Sequence, residues 1–125
     1  MKILLSIKPE HADKIFSGEK RYEYRKKVFR APNIEKVIVY STKPVGKIIG
    51  EFSISKILED TPDRIWRKTK NHSGISKKFF ESYYSQHNSA VAIEIERPTL
   101  YDSPKNPNAM FPKFTAPQSF AYIRD

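Results

Sequence analysis

Apolar residues in this chain fall into short runs of two spacings, and those spacings divide it into elements. Ile3-Leu4-Leu5 lies within Lys2 to Ile7, a run of strand length that predicts a first strand. Pro9 suits the first turn of a helix reaching about Phe16, with Glu10 near its positive end and Ala12, Ile15 and Phe16 on its buried face. Gly18 is placed to end that helix and release the chain. Ile34 to Ser41 contains the branched run Val37-Ile38-Val39 and predicts a strand. Gly46 to Leu58 predicts a second extended segment, interrupted by Gly50 at a bulge or a close backbone approach.

Thr61-Pro62-Asp63 combines an N-cap, a proline at the first helical position and an early acid, and the helix it starts should stop before Asn71 to Gly74. Ser76 can cap a further helix to about Ser85 that buries some of Phe79, Phe80, Tyr83 and Tyr84. Ala90 to Ile95 alternates as a strand does and should close near Pro98. The proline-rich stretch from Tyr101 to Pro117 reads as an irregular crossing, and Gln118 to Ile123 as a returning strand. Five or six strands with few helices predict an α+β, mainly β fold: a small mixed or antiparallel β-barrel with flanking helices, whose closure hides the sheet edges. A parallel βαβ sheet needs more regular helical crossovers.

A length of 125 residues suits one domain, 1–125, with one core. With no cysteine, disulfides, thiolate nucleophiles and cysteine-based zinc sites are excluded. The opening Met1-Lys2 leads into an apolar run too short for a secretory leader, and no run approaches the roughly 20 residues that cross a bilayer. The expectation is a cytoplasmic protein away from membranes.

Charge then narrows the partners. Lys and Arg total 23 against 14 Asp and Glu, a net charge of +9, which draws polyanions without identifying them. Arg and Tyr share segments, pairing phosphate donors with stacking surfaces, so RNA leads among partners.

The densest chemistry is Gly18-Glu19-Lys20-Arg21-Tyr22-Glu23-Tyr24-Arg25. On a strand, Tyr22 and Tyr24 share one side and Glu23 and Arg25 the other. Lys20 reads as a phosphate or ligand contact, as a structural ion-pair partner, or as a catalytic amine if burial lowers its pKa. Glu23 and Arg25 read either as a simple salt bridge or as a carboxylate accepting from a base amine beside an arginine fork. Lys8 can face the same cleft or solvent. Ser41 and Thr42 can donate to a phosphate or cap a turn, and Tyr40 can stack on a base or pack in the core. Trp66 can do the same among Arg64, Arg67 and Lys68, which form a candidate backbone-binding face. Gln118 and Ser119 can hydrogen-bond a base or satisfy the closing loop. His11, His72 and His87 lack metal-ligand spacing, so no metal or other cofactor is expected.

The pattern Gly18-x-Lys20-x-x-Glu23-x-Arg25 resembles the ASCH family, whose fold is PUA-like. Leu5-Ser6-Ile7-Lys8-Pro9, Tyr40-Ser41-Thr42, Ile48-Ile49-Gly50-Glu51-Phe52, Ser73-Gly74-Ile75-Ser76 and Pro117-Gln118-Ser119-Phe120 are similar to the same family. The resemblance implies a PUA-like barrel with a cleft for RNA or a modified nucleobase. Some members are amidohydrolases on acetylated cytidine, in which the lysine matching Lys20 acts with a threonine where this chain has Glu23. Their further acid falls where this chain has His72-Ser73-Gly74. The expected function is therefore an RNA-binding domain that recognises a modified or unpaired base. The alternatives are an amidohydrolase on an acylated nucleoside and a ribonuclease, either of which places Lys20 and Glu23 in catalysis.

Overall fold

The computed structural model describes residues 1–123. Its elements run β1 (Lys2–Ile7), α1 (Pro9–Ser17), β2 (Tyr22–Arg25), β3 (Lys36–Ser41), β4 (Lys47–Asp60), α2 (Pro62–Thr69), α3 (Lys77–Tyr83), β5 (Ala90–Lys105), α4 (Pro107–Met110) and β6 (Phe120–Ile123). The six strands form one sheet in the order β2-β5-β4-β3-β1-β6. Among the described residues, β1 and β3 pair in parallel and the other four pairings are antiparallel. The sheet curls into a half-barrel of PUA-like architecture with the helices on its flanks.

Burial follows strand alternation. Ile3, Leu5 and Ile7 of β1 join Val37 and Val39 of β3, Phe52 of β4 and Val91 and Ile93 of β5 in the inner core, closed by Ala12 and Ile15 of α1. Leu4, Ile38, Tyr40 and Ile48 point to the opposite face, under Tyr101, Phe111 and Phe114. Both faces of β1 and β3 are thus covered, which is why their sequences read as continuous apolar runs. A third cluster seats α2 and α3 through Ile65, Phe80 and Tyr84 on Tyr24, Ala90 and Ala92.

The helix signals act as expected. Gly18 ends α1 at φ 88° with its N–H on the Ile15 carbonyl. Thr61 caps α2 by accepting from the Arg64 N–H, and Ser76 caps α3 by accepting from the Phe79 N–H. Gly50 marks a close approach: an added Cβ would stand 2.5 Å from the Thr99 carbonyl oxygen and 2.7 Å from the Phe16 ring. It also adjoins a register shift, where Ile49 is the extra residue between the Val39–Gly50 and Tyr40–Ile48 pairs.

Two expectations fail beyond Ile95. The strand does not close at Pro98 but continues to Lys105, and part of the supposed irregular crossing is α4, capped by Asn106. The reason lies in the pairing. β2 covers β5 only along Val91 to Glu94, so the later half of β5 has a ladder to β4 alone. Pro98 sits in a bulge between the Glu96 and Thr99 pairings, where its missing N–H removes no regular bond.

Candidate functional site

The half-barrel leaves a seam between β2 at one end of the sheet and β1 and β6 at the other, and the polar chemistry gathers there. A cleft of about 380 Å³ is lined by Ser6 and Ile7 at the end of β1, Lys8 just before α1 and His11 within it, and Lys20, Glu23, Tyr24 and Arg25 in and before β2. Thr42 after β3, Ile75 before α3, Phe79 and Tyr83 within α3, and Pro117 and Gln118 complete it.

Arg25 staples this seam. Its Nη2 donates to the Ser6 carbonyl at 2.8 Å and pairs with the Glu23 carboxylate at 3.0 Å, while its Nη1 approaches Ser119 Oγ at 3.4 Å. Glu23 is 7% exposed, so its carboxylate is held in a fixed, nearly dry position. The Tyr84 hydroxyl secures the strand behind them by donating to the Arg25 carbonyl at 2.7 Å.

Lys20 is 2% exposed. Gly18 turns the chain so that the Lys20 N–H meets the Lys14 carbonyl, and the Arg21 N–H then meets the His72 carbonyl. The Lys20 side chain crosses Gly74 and donates from Nζ to the Ser73 carbonyl at 3.0 Å, with Nζ 4.6 Å from the centre of the Tyr24 ring. Gly74 sits at φ 70°, and a Cβ there would fall 2.5 Å from Lys20 Cβ. Burial lowers the Lys20 pKa to about 8 against the opposing pull of Glu23; Lys14 and Arg25 lower it further. The same seclusion raises the Tyr83 phenol and lifts Tyr24 to about 12.

The cleft draws together residues distant in sequence. Lys8, Lys20, Glu23, Arg25, Thr42 and Gln118 line it, and Ser119 reaches it through Arg25. Ser41 is buried at the end of β3 and does not line it. Tyr40 is turned to the other face of the sheet, where its ring lies 5.1 Å from that of Phe114, so packing rather than stacking on a ligand accounts for it. Trp66 packs on Phe80 at 4.9 Å beside a separate concavity. Arg64, Arg67 and Lys68 do not line the cleft either; Arg64 and Lys68 each stand 3.6 Å from the Asp60 carboxylate at the end of β4. The helix spacing that exposes these cations also sets them over that acid. Missing from the sequence reading were His11 as a cleft residue and the apolar wall of Ile75, Phe79 and Tyr83. The aromatic cluster at Phe79 to Tyr84 was the available signal, without a way to tell which rings face outward.

A model of the ASCH domain matches residues 5–99. The chain belongs to the ASCH domain family. Among curated proteins, 123 residues are 32% identical to a segment of "ATP synthase subunit alpha" of Ureaplasma parvum, covering 98% of this chain but 15% of that protein. The chain therefore spans under a sixth of that relative. An "ASCH domain-containing ribonuclease" of Zymomonas mobilis is 25% identical over 126 residues, 97% of this chain and 83% of that one. The crystal structure of ASCH from Zymomonas mobilis superposes with a TM-score of 0.91 at 22% identity, covering 98% of this chain and 87% of the other. That likeness establishes the shared PUA-like fold. Among the described residues, no helix of this ASCH domain is long and apolar enough to cross a membrane.

Proposed function

We propose that this ASCH domain binds RNA and receives an unpaired or modified base in the seam cleft. The observation that carries the reading is the pairing, inside one cavity, of a fixed carboxylate and the cations Lys8, Lys20 and Arg25 with the aromatic side chains of Tyr24, Phe79 and Tyr83. A base needs both: a flat apolar surface to stack on, and directional acceptors and donors at its edge. Glu23 accepts from an exocyclic amine, Lys20 donates to a carbonyl or phosphate oxygen, and Arg25 holds Glu23 in place. The net charge of +9 supplies encounter and nonspecific affinity. Fluorescence anisotropy with labelled single-stranded and hairpin RNA, at two salt concentrations, tests this. Saturable binding stronger for the single strand is expected; no binding even at low salt rejects it.

A ribonuclease is the second reading, favoured by likeness over nearly the whole chain to a protein of that name and by the lowered Lys20 pKa. An amine that releases its proton near neutral pH suits proton transfer or the charge of a phosphoryl transition state. Full-length labelled RNA after long incubation at high protein concentration removes this reading. The amidohydrolase reading is weaker, because Glu23 is committed to Arg25 where those enzymes use a threonine. Chromatography of acetylated cytidine after incubation decides it.

A further inference from the structure

Among the described residues, the buried side-chain nitrogens and oxygens with no hydrogen-bond partner in the protein are His11 Nδ1 and Arg25 Nε. Both belong to residues lining the seam cleft. Buried polar atoms are otherwise almost always paired, so two unpaired ones on residues of a single cleft single that cleft out. Arg25 has other partners that explain its place; His11 has no side-chain hydrogen bond that explains its own.

We propose that His11 contacts the bound nucleotide directly, its imidazole hydrogen-bonding the edge of the base while Phe79 fixes the plane of the ring. The inference rests on the RNA-binding reading above and deepens it. The His11 ring meets Phe79 edge-on, with centroids 5.4 Å apart and planes at 63°, which orients the imidazole without occupying its nitrogens. With Nδ1 sealed, Nε2 is the nitrogen left for a ligand.

The charge state suits an uncharged donor. Burial lowers the His11 pKa and Lys20 lowers it further; Glu23 and Glu10 pull the other way, and Lys14 adds a smaller lowering. A proton on Nδ1 would be a sealed N–H without an acceptor, so the neutral ring keeps Nδ1 bare and its proton on Nε2. The imidazole therefore faces the cleft as a neutral Nε2–H donor, able to donate to a base carbonyl or ring nitrogen without adding charge beside Lys20 and Arg25. Glu23 supplies a charged acceptor, so His11 gives the site a second, uncharged point of selection.

The test is titration of the full chain with a short single-stranded RNA of mixed sequence, following imidazole nitrogens by long-range 1H–15N NMR and affinity by anisotropy. The His11 resonances, assigned by their loss in His11→Phe, are expected to shift on saturation. His11→Phe, which keeps an aromatic ring against Phe79, should lose about tenfold in affinity, with His11→Gln recovering part of it. Unmoved His11 nitrogens in a saturated complex, or wild-type affinity in a folded His11→Phe, overturn the inference and leave RNA binding intact. Should His11→Phe fail to fold, resonances assigned through His72→Gln and His87→Gln decide the matter in the wild-type protein. Absence of RNA binding by the wild-type chain overturns the underlying reading and this inference together.

Discussion

Lys20 carries a cost that the fold would avoid if stability were its sole requirement. Its unfolded pKa is 10.5 and its folded pKa about 8, so the unfolded chain binds the proton more tightly. At neutral pH the difference amounts to about 3 kcal/mol against folding. Stability linked to this group is present above the unfolded pKa and is lost as pH falls from about 10.5 to about 8. Lys20→Met keeps the alkyl stem over Gly74, removes the charge and gives up one hydrogen bond to Ser73, worth about 1 kcal/mol. The variant should be more stable than wild type by about 1–2 kcal/mol at pH 7. That advantage should close by pH 10, as urea unfolding midpoints at the two pH values will show, with the high-pH tyrosine contributions cancelling in the difference. RNA affinity should fall in the same variant. Glu23 and Arg25 were legible from the sequence because one strand's alternation puts them on one face, and Lys20 because it belongs to the same dense polar stretch after Gly18. His11 was not: whether a helical histidine meets a cleft or solvent depends on α3, more than sixty residues further on.

At the scale of elements, two glycines show where backbone geometry is dictated by neighbours. Gly74 to Ala introduces a side chain at φ 70° and a Cβ 2.5 Å from that of Lys20. The left-handed backbone alone costs about 1–2 kcal/mol, and the clash displaces the lysine stem. We expect a lower denaturation midpoint and weakened RNA binding together. Gly50 to Ala presses on the Thr99 carbonyl and the Phe16 ring, away from the cleft. It should cost about 1–3 kcal/mol in urea unfolding while affinity, measured where the variant is folded, stays near wild type. Gly50 announced itself in sequence as an interruption of an extended run, and the caps Thr61 and Ser76 were equally plain, since capping is local chemistry. The length of β5 was hidden for the opposite reason. A proline ends a strand only where its N–H is needed, and that depends on how far β2 extends along the neighbouring edge.

For the molecule as a whole, the net charge of +9 leaves open where a nucleic-acid backbone runs. The basic run on α2 invited one answer, but Asp60 faces two of its cations and none of the run lines the cleft. Lys8 lines the cleft, and Lys26 places its Nζ 4.7 Å from the centre of the Tyr83 ring in the cleft wall. Both lysines are exposed. In the proposed binding mode, a base seated between these walls would carry its flanking phosphates past Lys8 and Lys26, not past α2. Neutralising a lysine that displaces counterions from a single strand reduces the slope of log K against log salt by about 0.7. Lys8→Gln with Lys26→Gln should therefore lower the slope by about 1.4 and weaken binding to all sequences alike. Arg64→Gln, Arg67→Gln and Lys68→Gln together remove more charge, yet should leave the slope nearly unchanged. Anisotropy titrations of both variants across a series of salt concentrations separate local contact from global attraction. A larger fall in slope for the α2 variant would move the backbone track to that helix and detach it from the seam.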